Sequence, residues 1–128
     1  MGSARLFLAL SLTVLSATAV RADDPVKRIP LERYEAPGTN LATVLMRVEA
    51  APGAQLPRHV HPGVEMTTCL SGELDLQIDG QPARHIAAGD HFQIPAGVPH
   101  SIKFGAEPSV LVAAFVVEKD KPLATPAP

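Results

Sequence analysis

Three side chains that commonly bind metal ions lie close together near the middle of the sequence. His59 and His61 are separated by one residue, and Glu65 follows four residues later. On an extended strand, residues two apart project to the same face, so the two imidazoles would point the same way. Imidazole nitrogens and a carboxylate oxygen form a mixed ligand set that suits first-row transition metals. Pro62-Gly63 predicts a bend that would bring Glu65 back beside the histidines.

The remaining histidines of this region compete for the place of a fourth ligand. His100 follows residues 95–99, where two prolines fix the backbone and would hold the imidazole in one position. His85 and His91 have polar neighbours and lie in or beside predicted hairpin segments, so we expect them on the surface. His100 is therefore the preferred fourth ligand.

The elements that must position these side chains are predicted to be short β-strands. Residues 41–48 and 65–70 are rich in β-branched and apolar residues and are followed by turn sequences. Residues 74–78 alternate between apolar and polar, as in a strand with one buried face. Asp79-Gly80 suits a type I′ hairpin turn that would return the chain along 81–86. The fold class is therefore all-β, a sandwich or barrel of short antiparallel strands.

The two ends of the chain read differently from this central part. Arg5 precedes an apolar run over 6–15 and then small residues, which is typical of a secretory signal peptide over 1–22. The run is too short to cross a bilayer, so we expect an exported, periplasmic or secreted protein without a membrane anchor after cleavage. The mature chain would comprise an N-terminal arm at 23–40, the barrel at 41–118 and a disordered tail at 119–128.

Charge and cysteine content narrow the possible partners. Cleavage after residue 22 would leave 9 basic and 13 acidic residues, a balance that argues against a nucleic-acid partner. Cys69 is the only cysteine, so no intramolecular disulfide can form. A small domain then depends on a bound metal or on dimerisation to supplement its core, and its exposed sheet edges favour a homodimer.

The spacing of these residues resembles that of the cupin superfamily. The first cupin motif, G(X)5HXH(X)3,4E(X)6G, is matched in full by Gly53, His59, His61, Glu65 and Gly72. The second motif, G(X)5PXG(X)2H(X)3N, is matched by Gly89, Pro95, Gly97 and His100, with Phe104 in place of the asparagine.

The resemblance implies a small jelly-roll β-barrel with one divalent metal ion inside its mouth. His59, His61, Glu65 and His100 would be the metal ligands, with open positions left for water or substrate. Iron, manganese, nickel, copper and zinc all suit such a ligand set. The missing asparagine is not a ligand in the family, so Phe104 would alter the polarity of the pocket and not the metal site.

Two functions follow from this interpretation. In the first, the metal takes part in dioxygenase-like or isomerase-like chemistry on a small oxygen-bearing organic molecule. In the second, a non-catalytic protein uses the metal to bind or sense a small molecule. No acid or base beyond the ligands stands out, so no catalytic residue is assigned. Cys69, Met46 and Met66 are interpreted as packing residues, while the orientation of His91 and Gln93 stays open.

Overall fold

The computed structural model describes residues 23–128, and the predicted signal peptide at 1–22 lies outside the described residues. The described chain forms ten strands and no helix, which confirms the all-β prediction. Among these residues, no helix offers the length and apolar character needed to cross a membrane. The strands are β1 (Val26–Glu35), β2 (Leu41–Ala50), β3 (Gln55–Val60), β4 (Gly63–Ser71), β5 (Glu73–Ile78), β6 (Arg84–Ala87), β7 (His91–Ile94), β8 (His100–Phe104), β9 (Ser109–Glu118) and β10 (Thr125–Pro126).

The strands form two five-stranded antiparallel sheets that face each other across one core. The first sheet has the order β1-β2-β9-β4-β7, and the second has the order β10-β3-β8-β5-β6. Alternate residues of the central strands point inward, so that Val44, Met46 and Val48 of β2 are buried while their neighbours face outward. Cys69 is fully buried within the core, which confirms its interpretation as a packing residue.

The connection between β3 and β4 carries the chain from the second sheet to the first. Gly63 lies so close to β9 that a Cβ atom there would come within 1.9 Å of the Val116 carbonyl oxygen. A larger residue would push the two strands apart, so glycine is required at this crossing. The bend predicted at Pro62-Gly63 is therefore present, and it places the start of β4 beside the end of β3.

The hairpin after β5 differs from its prediction. Gly80 has a φ of 76°, but no non-glycine residue among those described has a positive φ, so Asp79 does not. A type I′ turn needs positive φ at both central positions, whereas one positive φ at the third residue is typical of a type II turn. The Gln81 amide donates to the Ile78 carbonyl, and the return strand begins only at Arg84.

Residues 119–128, which we call the strap, also differ from the sequence-based expectation of disorder. Thr125 and Pro126 form β10 and pair with Val60 and His59 at the end of β3. Leu123 packs against the core of the barrel. The order of this proline-rich segment comes from its contacts with β3, and its own composition gives no signal of them.

Candidate metal centre

The four residues predicted to bind metal lie at one end of the barrel, on three strands and on the connection that follows β3. His59 is near the end of β3, His61 follows that strand directly, and His100 opens β8 opposite His59. Glu65 enters from β4 of the other sheet. His61, Glu65 and His100 are buried, with 6%, 6% and 1% of their surface exposed, and His59 is partly buried. The centre thus lies between the two sheets.

The potential ligand atoms of these side chains converge on one point. One ring nitrogen from each histidine lies within 4.8 Å of the others, so the three histidines could hold a metal ion. The Oε2 atom of Glu65 lies 3.0 Å from Nε2 of His61 and 3.6 Å from Nε2 of His100. The structure therefore brings together all four residues that the sequence singled out.

Backbone carbonyls orient all three imidazoles. The Nδ1 atoms of His59 and His100 contact the carbonyls two residues earlier in the chain, at 2.7 Å and 3.0 Å. Nδ1 of His61 instead contacts the carbonyl of Leu123 in the strap, at 2.6 Å. A carbonyl only accepts hydrogen bonds, so each Nδ1 must carry the proton, and each neutral ring keeps a lone pair on Nε2. Such contacts are typical of the outer shell of histidine metal sites.

When the three rings are neutral, Oε2 of Glu65 and the Nε2 atoms that face it are acceptors without a donor among the described residues. The Thr67 hydroxyl donates to Oε1 of Glu65 at 2.6 Å, which leaves Oε2 facing the histidines. Nε2 of His100 is buried and has no hydrogen-bond partner in the part of the chain that the structure describes. Lone pairs buried together without a donor are costly, and a cation at their centre would satisfy them all. The residues present therefore fit a metal ion.

The protonation states agree with this fit. Burial alone would raise the pKa of Glu65, but in the metal-free chain its contacts with His100, His61 and Thr67 outweigh burial and lower the pKa to about 2, and the two histidine contacts require a proton on the ring nitrogen that faces the carboxylate. Burial is the main reason that the pKa of His59 lies below its usual value, and the neighbouring His100 and His61 lower it further, against the opposing effect of the Pro57 carbonyl. An ionised carboxylate and a neutral imidazole are the forms that bind metal.

A cavity of about 460 Å³ adjoins the cluster and is lined by His59, His61 and Glu65 at that end. Its walls come mainly from apolar side chains of both sheets, and strap residues from Leu123 to Ala127 form one side. The charged groups lining it besides the cluster are Arg28 and Arg58, whose side chains remain 48% and 41% exposed. The cavity is thus an apolar space with one polar end.

Other predicted positions fall outside this cavity. Phe104 shares the inward face of His100 but lies at the other end of β8 and does not line the cavity, so the expected effect of Phe104 on the polarity of the cavity is wrong. His85 and His91 are exposed, as predicted, and Gln93 faces outward with His91. Met66 is half-exposed on the outer face of β4, so its interpretation as a packing residue is also wrong.

Sequence reasoning missed two contributors to the centre. Thr67 lies two residues after Glu65 on the same face of β4, so alternation along the strand was a usable signal for it. No sequence signal could have identified the Leu123 carbonyl. Every residue has a backbone carbonyl, so the sequence does not indicate which one contacts His61.

Comparison with known proteins identifies the family of this chain independently of the site geometry. The sequence profile of the cupin domain matches residues 46–115, which is more than half of the chain. The chain belongs to the cupin family. The matched segment includes all four residues of the candidate centre.

Curated relatives of this cupin include enzymes and a receptor. The chain is 38% identical over 86 residues to the rhicadhesin receptor of Pisum sativum, covering 62% of this chain and 40% of that protein. It is 36% identical over 95 residues to oxalate oxidase 1 of Hordeum vulgare, covering 66% and 47%. It is also 37% identical over 51 residues to dimethylsulfoniopropionate lyase DddQ of Ruegeria pomeroyi, covering 40% and 25%. The cupin therefore spans less than half the length of these relatives.

Solved structures share its architecture. A recombinant oxalate oxidase in complex with glycolate superposes with a TM-score of 0.65 at 26% identity, over 91% of this chain and 62% of the other. A Klebsiella pneumoniae protein with a double-stranded β-helix domain gives 0.64 at 26% identity, over 82% and 89%. The DddQ lyase of Ruegeria pomeroyi gives 0.69 at 22% identity, over 81% and 52%, which supports the fold alone. The predicted cupin barrel is confirmed.

Proposed function

We propose that this cupin is an exported protein that binds one divalent transition metal ion through His59, His61, Glu65 and His100. The metal would hold a small oxygen-bearing organic molecule in the adjoining cavity. The observation that carries this proposal is the buried cluster of acceptor atoms, in which Nε2 of His100 has no hydrogen-bond partner among residues 23–128. Iron, manganese, nickel, copper and zinc are all compatible with three imidazoles and one carboxylate.

Within this proposal, an enzyme with dioxygenase-like or isomerase-like chemistry is the first candidate. The metal would supply a Lewis acid, or a redox centre if it is iron, manganese or copper. The protein supplies the rest: backbone carbonyls fix the imidazole orientations, Glu65 offsets part of the metal charge, and apolar walls exclude water from the bound molecule. The similarity to oxalate oxidase and to a lyase supports this candidate.

A binding or sensing protein is the second candidate, and the composition of the cavity favours it. Apart from the proposed ligands, the titratable groups of the described residues that line the cavity are Arg28 and Arg58. Arginine stays protonated in proteins and cannot act as a general base. Any proton transfer would then fall to a metal-bound group or to the molecule itself.

The two candidates are separated by following turnover in the metal-loaded protein. The full chain, purified without a histidine tag, is first tested for metal content and then mixed with candidate small acids and enols. Consumption of dioxygen or formation of product at catalytic levels supports the enzyme, whereas saturable binding without turnover supports the second candidate. Failure to bind any of the five metals would contradict both.

The remaining parts of the proposal concern the whole chain. We propose the signal peptide at 1–22, the arm at 23–40, the barrel at 41–118 and the strap at 119–128 as its organisation, in which β1 of the arm and β10 of the strap each extend the edge of one sheet of the barrel. A homodimer is supported by exposed apolar side chains on the outer face of the first sheet, where Leu45 and Met66 flank Ala114 in one row. Sedimentation of wild type and of Met66→Glu would test it, because a dimer through this face would dissociate in the variant.

A further inference from the structure

We propose that the cavity takes a ligand with a monoanionic, two-oxygen head and an apolar body, and that it discriminates against compact dianions. The proposal rests on the proposed function, because the head would bind at the metal centre. It goes further by assigning the chemical class of the ligand from the charge, the lining and the size of the cavity.

The charge of the centre favours a single negative charge on the head. A divalent ion, one ionised Glu65 and three neutral imidazoles have a formal charge of +1. A monoanionic head neutralises it, whereas a dianion leaves a net negative charge beside apolar walls, where an uncompensated charge is costly. The side chains that line the cavity offer little positive charge to neutralise the second negative charge of a dianion.

The two arginines that line the cavity already have partners. Arg58 forms a two-pronged ion pair with Asp79 and also donates to the Pro128 carbonyl. Arg28 lies 3.6 Å from Asp24 and donates to the Val26 carbonyl. Both side chains are also well exposed, so water would screen any attraction to a second charge.

The walls favour an apolar body attached to the head. Val48 of β2, Ile102 of β8, and Leu111 and Phe115 of β9 line the cavity from both sheets. Burying an apolar body against these side chains is favourable in proportion to the area removed from water. A small polar acid would leave the same walls facing water.

The size of the cavity leads to the same conclusion. A volume of about 460 Å³ would hold roughly 15 non-hydrogen atoms if each takes about the 30 Å³ of a liquid water molecule. A two-oxygen head uses only a few of these places. Leu123 of the strap, which packs against the core, closes the side where the body would lie.

The experiment uses the full chain loaded with Co²⁺, whose visible absorption reports ligands at the metal, and two matched pairs of probes. Acetohydroxamate and benzohydroxamate share one head, and only the second has an apolar body. Oxamate and oxalate match in size, but oxalate carries the second charge. Each dissociation constant is divided by that of the same probe for aqueous Co²⁺.

The proposal predicts that benzohydroxamate binds at least about tenfold more tightly than acetohydroxamate, from the apolar area buried. It also predicts that oxamate is favoured over oxalate after normalisation. Equal binding of the two hydroxamates, or a preference for oxalate, would overturn the proposal while leaving the metal centre intact. A chain that takes up neither Co²⁺ nor any of the five metals named above would overturn the proposed function as well.

A matched pair of variants tests whether the apolar body of the ligand contacts the cavity wall. Leu56→Lys places a charge in the cavity wall, and Leu70→Lys makes the same change at a half-exposed position outside it. Leu56→Lys should weaken benzohydroxamate about tenfold or more and change acetohydroxamate by less than about twofold. Leu70→Lys should change neither. Ala113→Leu, which fills the cavity without charge, should act like Leu56→Lys, and unchanged benzohydroxamate binding in both cavity variants would overturn the proposal.

Discussion

Two groups of histidines and carboxylates lie on this barrel, and their geometry is similar at first sight. In the candidate centre, Nε2 of His61 lies 3.0 Å from Glu65. In the second group, which we call the surface cluster, His85 lies 2.9 Å from Asp75 and 3.3 Å from Glu73. The side chains of the surface cluster are 50–67% exposed, however, whereas those of His61, Glu65 and His100 are 6–8% exposed or less.

The difference lies in what each ring nitrogen contacts. Both nitrogens of His85 face carboxylates, so a proton on each satisfies the surface cluster, and the pKa of His85 is raised by its hydrogen bond to Asp75 and by Glu73. In the candidate centre, a backbone carbonyl already contacts each Nδ1, and one ring nitrogen of each histidine lies within 4.8 Å of the others. One proton cannot satisfy all of these acceptors, and a metal ion can. Proximity of histidine and carboxylate alone therefore does not distinguish a metal site.

The largest expected effect comes from His61→Ala, which removes one ligand from the candidate centre. We expect metal affinity to fall roughly hundredfold or more, since losing even an outer-shell partner typically costs 10- to 100-fold. The thermal stabilisation by metal should disappear, which is ~2.7 kcal/mol at a metal concentration one hundred times the dissociation constant. Isothermal titration calorimetry measures the affinity, and thermal unfolding with and without metal measures the stabilisation, with His91→Ala as an exposed histidine control. Unchanged affinity would contradict the ligand assignment.

A smaller effect is expected from changes around the carboxylate. Glu65→Gln keeps the shape of the side chain but removes its charge, so metal affinity should fall by less than in His61→Ala. Thr67→Val removes the hydroxyl that donates to Glu65 and should cost about tenfold, as typical for a group that orients a ligand. Titrations of the two variants check this order, and a larger effect of Thr67→Val than of Glu65→Gln would contradict it.

The stability of the metal-free protein should fall in acid because Glu65 becomes protonated. The pKa of Glu65 in the folded chain is about 2, below the usual value of about 4.3 in an unfolded chain. Its contribution to stability is therefore present above pH 4.3 and is lost as the pH falls towards 2. Urea unfolding of the metal-free protein at pH 5 and pH 3 should show a larger loss of stability for wild type than for Glu65→Gln. Equal losses would mean that Glu65 is not held ionised.

The smallest effect is expected at the surface cluster. His85→Ala should leave metal affinity unchanged, because His85 is exposed and its nitrogens already face carboxylates. Since the pKa of His85 is raised on folding, its contribution to stability is present below about pH 6.5 and is lost as the pH rises through the folded value. Unfolding at pH 6 and pH 9 should show a slight destabilisation of the variant at pH 6 only. Reduced metal binding by His85→Ala would contradict the claim that the candidate centre binds metal and the surface cluster does not.

Alternation and turn chemistry were enough to predict much of the candidate centre. The period of two in a strand aligned His59 with His61, and the Pro62-Gly63 bend explained how Glu65 returns towards them. The choice of His100 over His85 and His91 came from the rigid segment before it, and the exposure of the two rejected histidines is confirmed.

The order of the strap and the lining of the cavity could not be predicted from the sequence. The strap is ordered by contacts with β3 and the core, so a reading of its proline-rich composition predicts disorder. Phe104 faces inward as alternation indicated, but its depth in the barrel depends on how the two sheets pack. Both properties arise from contacts between segments far apart in the chain.

The most direct test of the central claim is anomalous diffraction from a crystal of the metal-loaded chain at the absorption edge of the bound metal. The account predicts one strong peak per chain, at about 2.0–2.2 Å from Nε2 of His59, His61 and His100 and from Oε2 of Glu65. A peak at the surface cluster of His85, Glu73 and Asp75, with none between the sheets, would contradict it.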